Sequence, residues 1–230
     1  MKTCHIFCAA GFSGLLEAPG PGDLILAADG GLRHTQALGL TPDCILGDFD
    51  SLGYTPQGPA VNRFPVEKDD TDSMLAVKLG LSRGCRRFLL YGAMDGPRLD
   101  HTLANFQALH YLTCHGAWGY LAGERYLATV LGPGTLSFGP EARGILSVFC
   151  LGADAGGVTL RGLQYPLEEA VLTAGFPLGV SNHFLGVSSQ ISLASGRLLI
   201  LWDRACGLPL ARTTKGASAN RYGTKETENP

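Results

Sequence analysis

Four short apolar runs constrain what this chain can become. They lie at residues 4–10, 24–28, 44–46 and 88–91, and each is followed by a turn containing Gly or Asp. Between them are segments with helical spacing, at 32–38, 72–82 and 100–114. In the second of these the apolar positions are Met74, Leu75, Val77 and Leu79. In the third, Leu103, Phe106, Leu109, His110 and Thr113 form the expected stripe. Strand–turn–helix alternation predicts a mostly parallel sheet with crossover helices, an α/β, Rossmann-like arrangement.

After about residue 133 the helical stripes stop. GPGTLSF, ILSVFCLG, GVTLRGL, QISLAS and RLLILWD are short strand-like runs separated by Gly, Pro, Ser and Asp. They predict a smaller all-β, sandwich-like C-terminal domain. The expected division is 1–132 for the α/β domain, 133–212 for the β domain, and 213–230 for a polar, flexible tail.

Composition removes several function classes. A chain of 230 residues can bury a substantial core, and 45% apolar with 17% charged residues is globular material. The formal charge of −2, with no basic block, argues against a nucleic-acid partner. No apolar run approaches the roughly 18–20 residues of a membrane span. The N-terminal HIFCAA reads as a buried first strand rather than a signal peptide. Seven cysteines without a C-x-x-C pair, five of them in or beside apolar runs, read as buried reduced thiols. That usage predicts a cytoplasmic location and argues against a Cys/His zinc site.

Acids concentrate where an open α/β sheet binds ligands, beyond the carboxyl ends of its strands. Asp29 follows the second apolar run, and Asp48 and Asp50 follow the third within GDFDS. Asp69, Asp70 and Asp72 precede one helix, while Asp95, Arg98 and Asp100 precede another. Singly, each has a plain reading: a turn at Asp29-Gly30-Gly31, an N-cap at Asp70 or Thr71, a helix-start acid at Asp100. GDFDS resists that reading. In an extended segment Asp48 and Asp50 point to the same side, and a cap needs one carboxylate. Converging carboxylates repel unless a cation neutralises them, and an all-oxygen set suits Mg²⁺. Lys68 and Arg98 then read as clamps for phosphate oxygens. There is no P-loop motif. The residues point to Mg²⁺-dependent phosphoryl or pyrophosphoryl transfer, or hydrolysis, on a nucleotide, and leave the acceptor open.

In order and spacing, ADGG at 28–31, PD at 42–43, GDFDS at 47–51, EKDDTD at 67–72 and GPRLDHTLAN at 96–105 resemble the thiamine pyrophosphokinase family. GLQYPL at 162–167 and SNHF at 181–184 extend the resemblance over most of residues 1–202. The resemblance implies a homodimer that transfers pyrophosphate from ATP to the hydroxyl of thiamine, releases AMP and needs Mg²⁺. It implies a thiamine site at the dimer interface. By position, Asp29, Asp48, Asp50 and Asp72 would hold the metal. Asp29, Gly30, Lys68, Asp70, Thr71, Arg98, His101 and Asn105 would face ATP, with Asp48, Asp50, Asp72, Arg98 and Asp100 carrying the chemistry. Asp100, Ser181 and Asn182 would face thiamine. Pro97 stands where the family commonly has a second glycine before the Arg, which removes one N–H. Three other readings share parts of this pattern: a pyrophosphokinase for another heterocyclic alcohol such as a hydroxymethylpterin, a Mg²⁺-dependent nucleotide hydrolase, and a regulatory nucleotide-binding protein.

Overall fold

Successive residues of a strand face opposite sides of a sheet, and the first strand shows what lies on each side here. A computed structural model of the protein describes residues 1–49, 52–58, 60–63 and 70–214. Strand β1 (Thr3–Phe7) pairs in parallel with β2 (Leu24–Ala28) and with β5 (Arg87–Tyr91). Cys4 and Ile6 sit opposite Phe88 and Leu90 and pack under the helices α2 (Asp72–Ser82) and α3 (Leu99–Cys114). Phe7 sits opposite Tyr91 on the other face, with ring centroids 5.0 Å apart. Both faces are therefore covered, which is why these runs read as continuously apolar.

The parallel ladder continues outward through β3 (Cys44–Gly47) and β4 (Val61–Arg63) on one side and through β6 (Trp118–Ala122) on the other. The short helix α1 (Leu32–Ala37) follows β2. Then the direction changes. Strand β7 (Tyr126–Leu131) runs antiparallel to β6, and β14 (Leu198–Asp203), β9 (Ile145–Cys150) and β12 (Asn182–His183) follow it in one ten-stranded sheet. A second sheet of five strands has the order β11 (Leu167–Leu172), β10 (Ala155–Arg161), β13 (Ser189–Leu193), β8 (Gly134–Phe138) and β15 (Ala211–Thr214). Trp202 of β14 meets Phe138 of β8 edge-on at 5.4 Å, which places the core of this half between the two sheets.

Strands dominate, with two large sheets and three α-helices among the described residues. The division at residue 132 falls between β7 and β8, and hydrogen bonding crosses it where β7 pairs with β14. The α/β sheet and one sheet of the β-rich half are thus a single hydrogen-bonded unit rather than two separate sheets. The first two residues assigned to the tail belong to a strand. Thr213 and Thr214 pair with Thr135 and Gly134 of β8, and residues 215–230 lie outside the described residues.

The α3 stripe is also shifted. Its buried face is Asn105, Ala108, Leu109 and Leu112, while Leu103 is 55% exposed. A buried polar residue is read as solvent-facing by an apolar pattern, and Asn105 is buried because both ends of its amide have partners.

Candidate active site

The order β4-β3-β2-β1-β5-β6 puts strands on both sides of β1, so the connections leaving β1 and β5 diverge. Such a divergence opens a crevice at the carboxyl ends. A cleft of about 500 Å³ lies there. Cys8 and Ala10 after β1, Asp29 after β2, Asp48 after β3 and Gly92 after β5 line it. The N-termini of α2 and α3 close the far side with Thr71, Asp72, Ser73, Arg98, His101, Thr102 and Asn105.

Three carboxylates converge in this cleft. One oxygen from each of Asp29, Asp48 and Asp72 lies within 4.8 Å of the others. Asp29 is 8% exposed and holds φ = +48°, a left-handed backbone at the end of β2. Gly47 explains how Asp48 comes so near. A Cβ built on it would stand 3.1 Å from the Cβ of Asp29, at φ = +146°. Only glycine allows β3 to end that close.

Asp72 is the first residue of α2, where the helix dipole favours a negative charge. Thr71 is the N-cap, its hydroxyl accepting from the N–H of Met74 at 3.2 Å. Cys8 faces the same space, and burial, with the nearby Asp72, pushes its thiol up to about 12. It is therefore an inert neutral wall at physiological pH.

The extended run expected through GDFDS is interrupted at Phe49. Phe49 has φ = +68° and is 3% exposed, so the chain turns there to bury the ring beside Ala27 and Leu32. Asp48 finds its carboxylate neighbours on other elements instead. Asp50 and Lys68 lie outside the described residues.

The remaining expected residues divide. Arg98 and His101 line the cleft. Arg98 donates to Asp100 at 2.6 Å, and both side chains are about two-thirds exposed, at 64% and 65%. That hydrogen bond holds the Asp100 carboxyl below its usual range. Gly30 sits in a buried turn behind Asp29 and is not part of the lining. Asp70 is turned away, its carboxylate paired with Lys78 at 2.6 Å. Asp95 is used structurally, accepting from the N–H of Glu124 in the β6–β7 turn.

Asn105 lines the cleft, but its carboxamide is taken by Ala93 and Ser73. Ser73 itself and the 8–10 loop were not singled out by sequence reasoning. Small residues beside a cluster of acids leave no compositional signal.

In the β-rich half, Asn182 is 2% exposed and its side chain is consumed by the backbone of Tyr165 and His183. Asn182 is therefore a clamp rather than a free contact for a ring. Ser181 beside it is exposed, holds φ = +58°, and its N–H donates to Ser147 Oγ at 3.0 Å. Tyr165, fixed by the clamp, is 59% exposed.

The chain is similar to known proteins in sequence and fold. Residues 21–117 match the family model "Thiamin pyrophosphokinase, catalytic domain", and residues 138–198 match "Thiamin pyrophosphokinase, vitamin B1 binding domain". A thiamine pyrophosphokinase of Bacillus subtilis (strain 168) is 26% identical over 211 residues, covering 87% of this chain and 98% of the relative. A crystal structure of thiamine pyrophosphokinase from Bacillus subtilis superposes with a TM-score of 0.78 at 25% identity, covering 88% of this chain and 99% of the other. One from Geobacillus thermodenitrificans gives 0.74 at 25% identity, with 89% and 99% covered.

Proposed function

The chain belongs to the thiamin pyrophosphokinase family, and on that premise we propose that its acid-lined cleft binds Mg·ATP and that pyrophosphate passes from ATP to thiamine, releasing AMP. The observation that carries this reading is the convergence of Asp29, Asp48 and Asp72 within 4.8 Å, in a cleft shared with Arg98 and His101. Three carboxylates at that spacing form a hard, all-oxygen donor set, which fits Mg²⁺. Asp29, Asp48 and Asp72 would hold the ion, with Asp50 a further candidate by position. When bound, Mg²⁺ neutralises phosphate charge and fixes the orientation of the pyrophosphoryl group.

The protein's own groups do the rest by placement. Arg98 presents a guanidinium to phosphate oxygens, a charge-matched donor fork. Lys68 is assigned the same task by its position in EKDDTD. Asp100, held ionised by Arg98, accepts a hydrogen bond from the attacking hydroxyl and orients it. A carboxylate with a depressed pKa is a weak base, so orientation is its main contribution. The hydroxyl oxygen bonds to the β-phosphorus, the bond from that phosphorus to the α-phosphate oxygen breaks, and AMP leaves as the hydroxyl proton is lost.

We assign the nucleotide side to residues 1–132, as a Rossmann-like half, and the thiamine side to residues 133–212. Exposed Tyr165 and Ser181 would meet thiamine, with Asn182 holding Tyr165 and Ser147 accepting from the N–H of Ser181. A homodimer is supported by the apolar side chains left exposed in the β-rich half, among them Val171 at 65%, Phe176 at 66% and Leu178 at 51%. All seven cysteines are free thiols, which supports a reducing, cytoplasmic setting. No helix among the described residues is long and apolar enough to cross a membrane.

The deciding experiment is AMP release from Mg·ATP by the purified protein with thiamine, with a hydroxymethylpterin, and with neither. AMP matched by thiamine pyrophosphate, in the thiamine arm alone, is the expected result. Release with the pterin alone moves the substrate, and release without an acceptor makes the protein a hydrolase.

A further inference from the structure

Asn105 lies in the floor of the cleft, 5% exposed, one helical turn after His101. Its Nδ2 donates to the carbonyl of Ala93 at 2.8 Å, and its Oδ1 accepts from Ser73 Oγ at 2.6 Å. The orientation is chemically forced, since a carbonyl can only accept. Ser73 has a single hydroxyl proton and spends it on Asn105. Thr71 Oγ1, 3.1 Å from Ser73 Oγ, must then donate to Ser73. Thr71 Oγ1 in turn accepts from the N–H of Met74. Every donor in the string points the same way, from the first turn of α2 to the loop after β5.

The string joins the elements that carry the site. Thr71 and Ser73 flank Asp72, so both chain neighbours of that carboxylate are members. Ala93 opens the loop that delivers Arg98, and Asn105 sits on the helix that carries His101. The string runs from half-buried Thr71 and Ser73 to buried Asn105, and a chain of satisfied polar groups specifies one arrangement, because losing the Ser73 hydroxyl leaves the buried Asn105 carbonyl oxygen unpaired.

We propose that Asn105, acting through Ser73, is the positioning residue that holds Asp72 in register with Asp29 and Asp48, and so sets the affinity of this carboxylate group for a divalent cation. This rests on the reading that the three carboxylates hold Mg²⁺. Asn105 is thereby moved from a nucleotide contact to a support for the metal ligand.

The test is Mn²⁺ binding without nucleotide, read from the electron paramagnetic resonance signal of free Mn²⁺, on the full chain. Removing a partner that orients a metal ligand costs about 10–100-fold in affinity. Ser73→Ala and Asn105→Ala should each lose affinity in that range while melting cooperatively. The double variant should bind no more weakly than Asn105→Ala, since the two act through one link. Ser73→Thr keeps the hydroxyl and should restore binding. Thiamine KM in the transfer assay should stay near the wild-type value in all of them. Ser73→Ala with wild-type Mn²⁺ affinity overturns the inference, and it decides the matter alone if Asn105→Ala does not fold. A wild-type chain that binds no Mn²⁺ overturns the carboxylate reading and this inference with it, whereas normal wild-type binding with unaffected variants sinks the inference only.

Discussion

Asn182 pairs with both backbone groups of Tyr165, accepting from its N–H at 2.9 Å and donating to its carbonyl at 2.7 Å. One side chain does here what a neighbouring strand does elsewhere. It joins the GLQYPL loop to β12 at the edge of the ten-stranded sheet. Truncation to Asn182→Ala strands a partly buried N–H and a carbonyl, each costing about 1–3 kcal/mol when fully buried. Partial exposure lowers the sum, so urea denaturation should show a loss of about 2 kcal/mol. Tyr165→Ala removes an exposed ring and should stay within about 0.5 kcal/mol of wild type. If Asn182→Ala is as stable as Tyr165→Ala, the clamp is not what holds this loop. Both variants should raise the KM for thiamine and leave that for ATP alone.

Gly47 decides how near Asp48 comes to Asp29. A Cβ at that position would stand 3.1 Å from the Cβ and 3.2 Å from the Cα of Asp29, at a backbone angle of +146° that side chains rarely adopt. Gly116 offers a matched control, with φ = +65° and open space around its Cβ. Gly116→Ala should cost about 1 kcal/mol, from backbone strain alone. Gly47→Ala adds a displaced Asp29, and overpacking of this kind costs about 1–3 kcal/mol more. Its turnover should fall beyond what the stability loss explains. Equal melting temperatures for the two variants would show that the close approach is unimportant.

These two relationships also mark where sequence reasoning stops. Helix α2 was legible to its ends at Asp72 and Ser82, because Thr71 caps it and apolar residues recur at helical spacing. The convergence of Asp29, Asp48 and Asp72 was legible because strand ends in a parallel sheet share one edge. The local geometry of GDFDS was not, since Phe49 turns to bury its ring and no periodicity reports a left-handed residue. Asn182 and Asn105 read as ligand contacts because polar residues inside a motif invite that reading. Whether a buried amide is already spent depends on partners 17 residues away for Asn182, and 12 and 32 residues away for Asn105. Strands β6 and β7 escaped notice because Gly119, Ala122 and Ala128 interrupt their apolar signal, though all three are buried.

His5 predicts a pH dependence of stability. It is 1% exposed, stacked on Tyr91, with Asp23 at 3.5 Å. Burial lowers its pKa, and the attraction of Asp23 only partly offsets this. His110 is lowered as well, by burial and then by Arg197. Below about pH 6.5 the unfolded chain takes up these protons first. The unfolded state then binds more protons than the folded one, so stability falls as pH falls. The decline ends once the folded-state pKa values are passed, and each group contributes at most about 1.4 kcal/mol per pH unit. Denaturation between pH 7.5 and 5 should show this slope, reduced stepwise in His5→Gln and His110→Gln. Asp23 acts only in a lower window, through its depressed carboxylate pKa. A slope unchanged in both variants would place the dependence elsewhere.

The carboxylate group makes opposite predictions with and without metal. Oxygens of Asp29, Asp48 and Asp72 within 4.8 Å of one another repel when no cation lies among them. Asp72→Asn removes one charge and keeps the shape. In the presence of a chelator its melting temperature should equal or exceed that of wild type. Adding Mg²⁺ should raise the wild-type melting temperature with the logarithm of its concentration and leave Asp72→Asn nearly unmoved, because only binding to the folded state stabilises. Thiamine pyrophosphate formation should fall by about a hundredfold or more, the usual scale for losing one electrostatic contributor to a transfer step. Thermal melts and initial rates on the same samples separate the possibilities. Lost turnover with an intact Mg²⁺-dependent rise would make Asp72 a group that contacts substrate rather than metal. An intact rise together with normal turnover would remove Asp72 from the site altogether, leaving Asp29 and Asp48 to hold the ion without it.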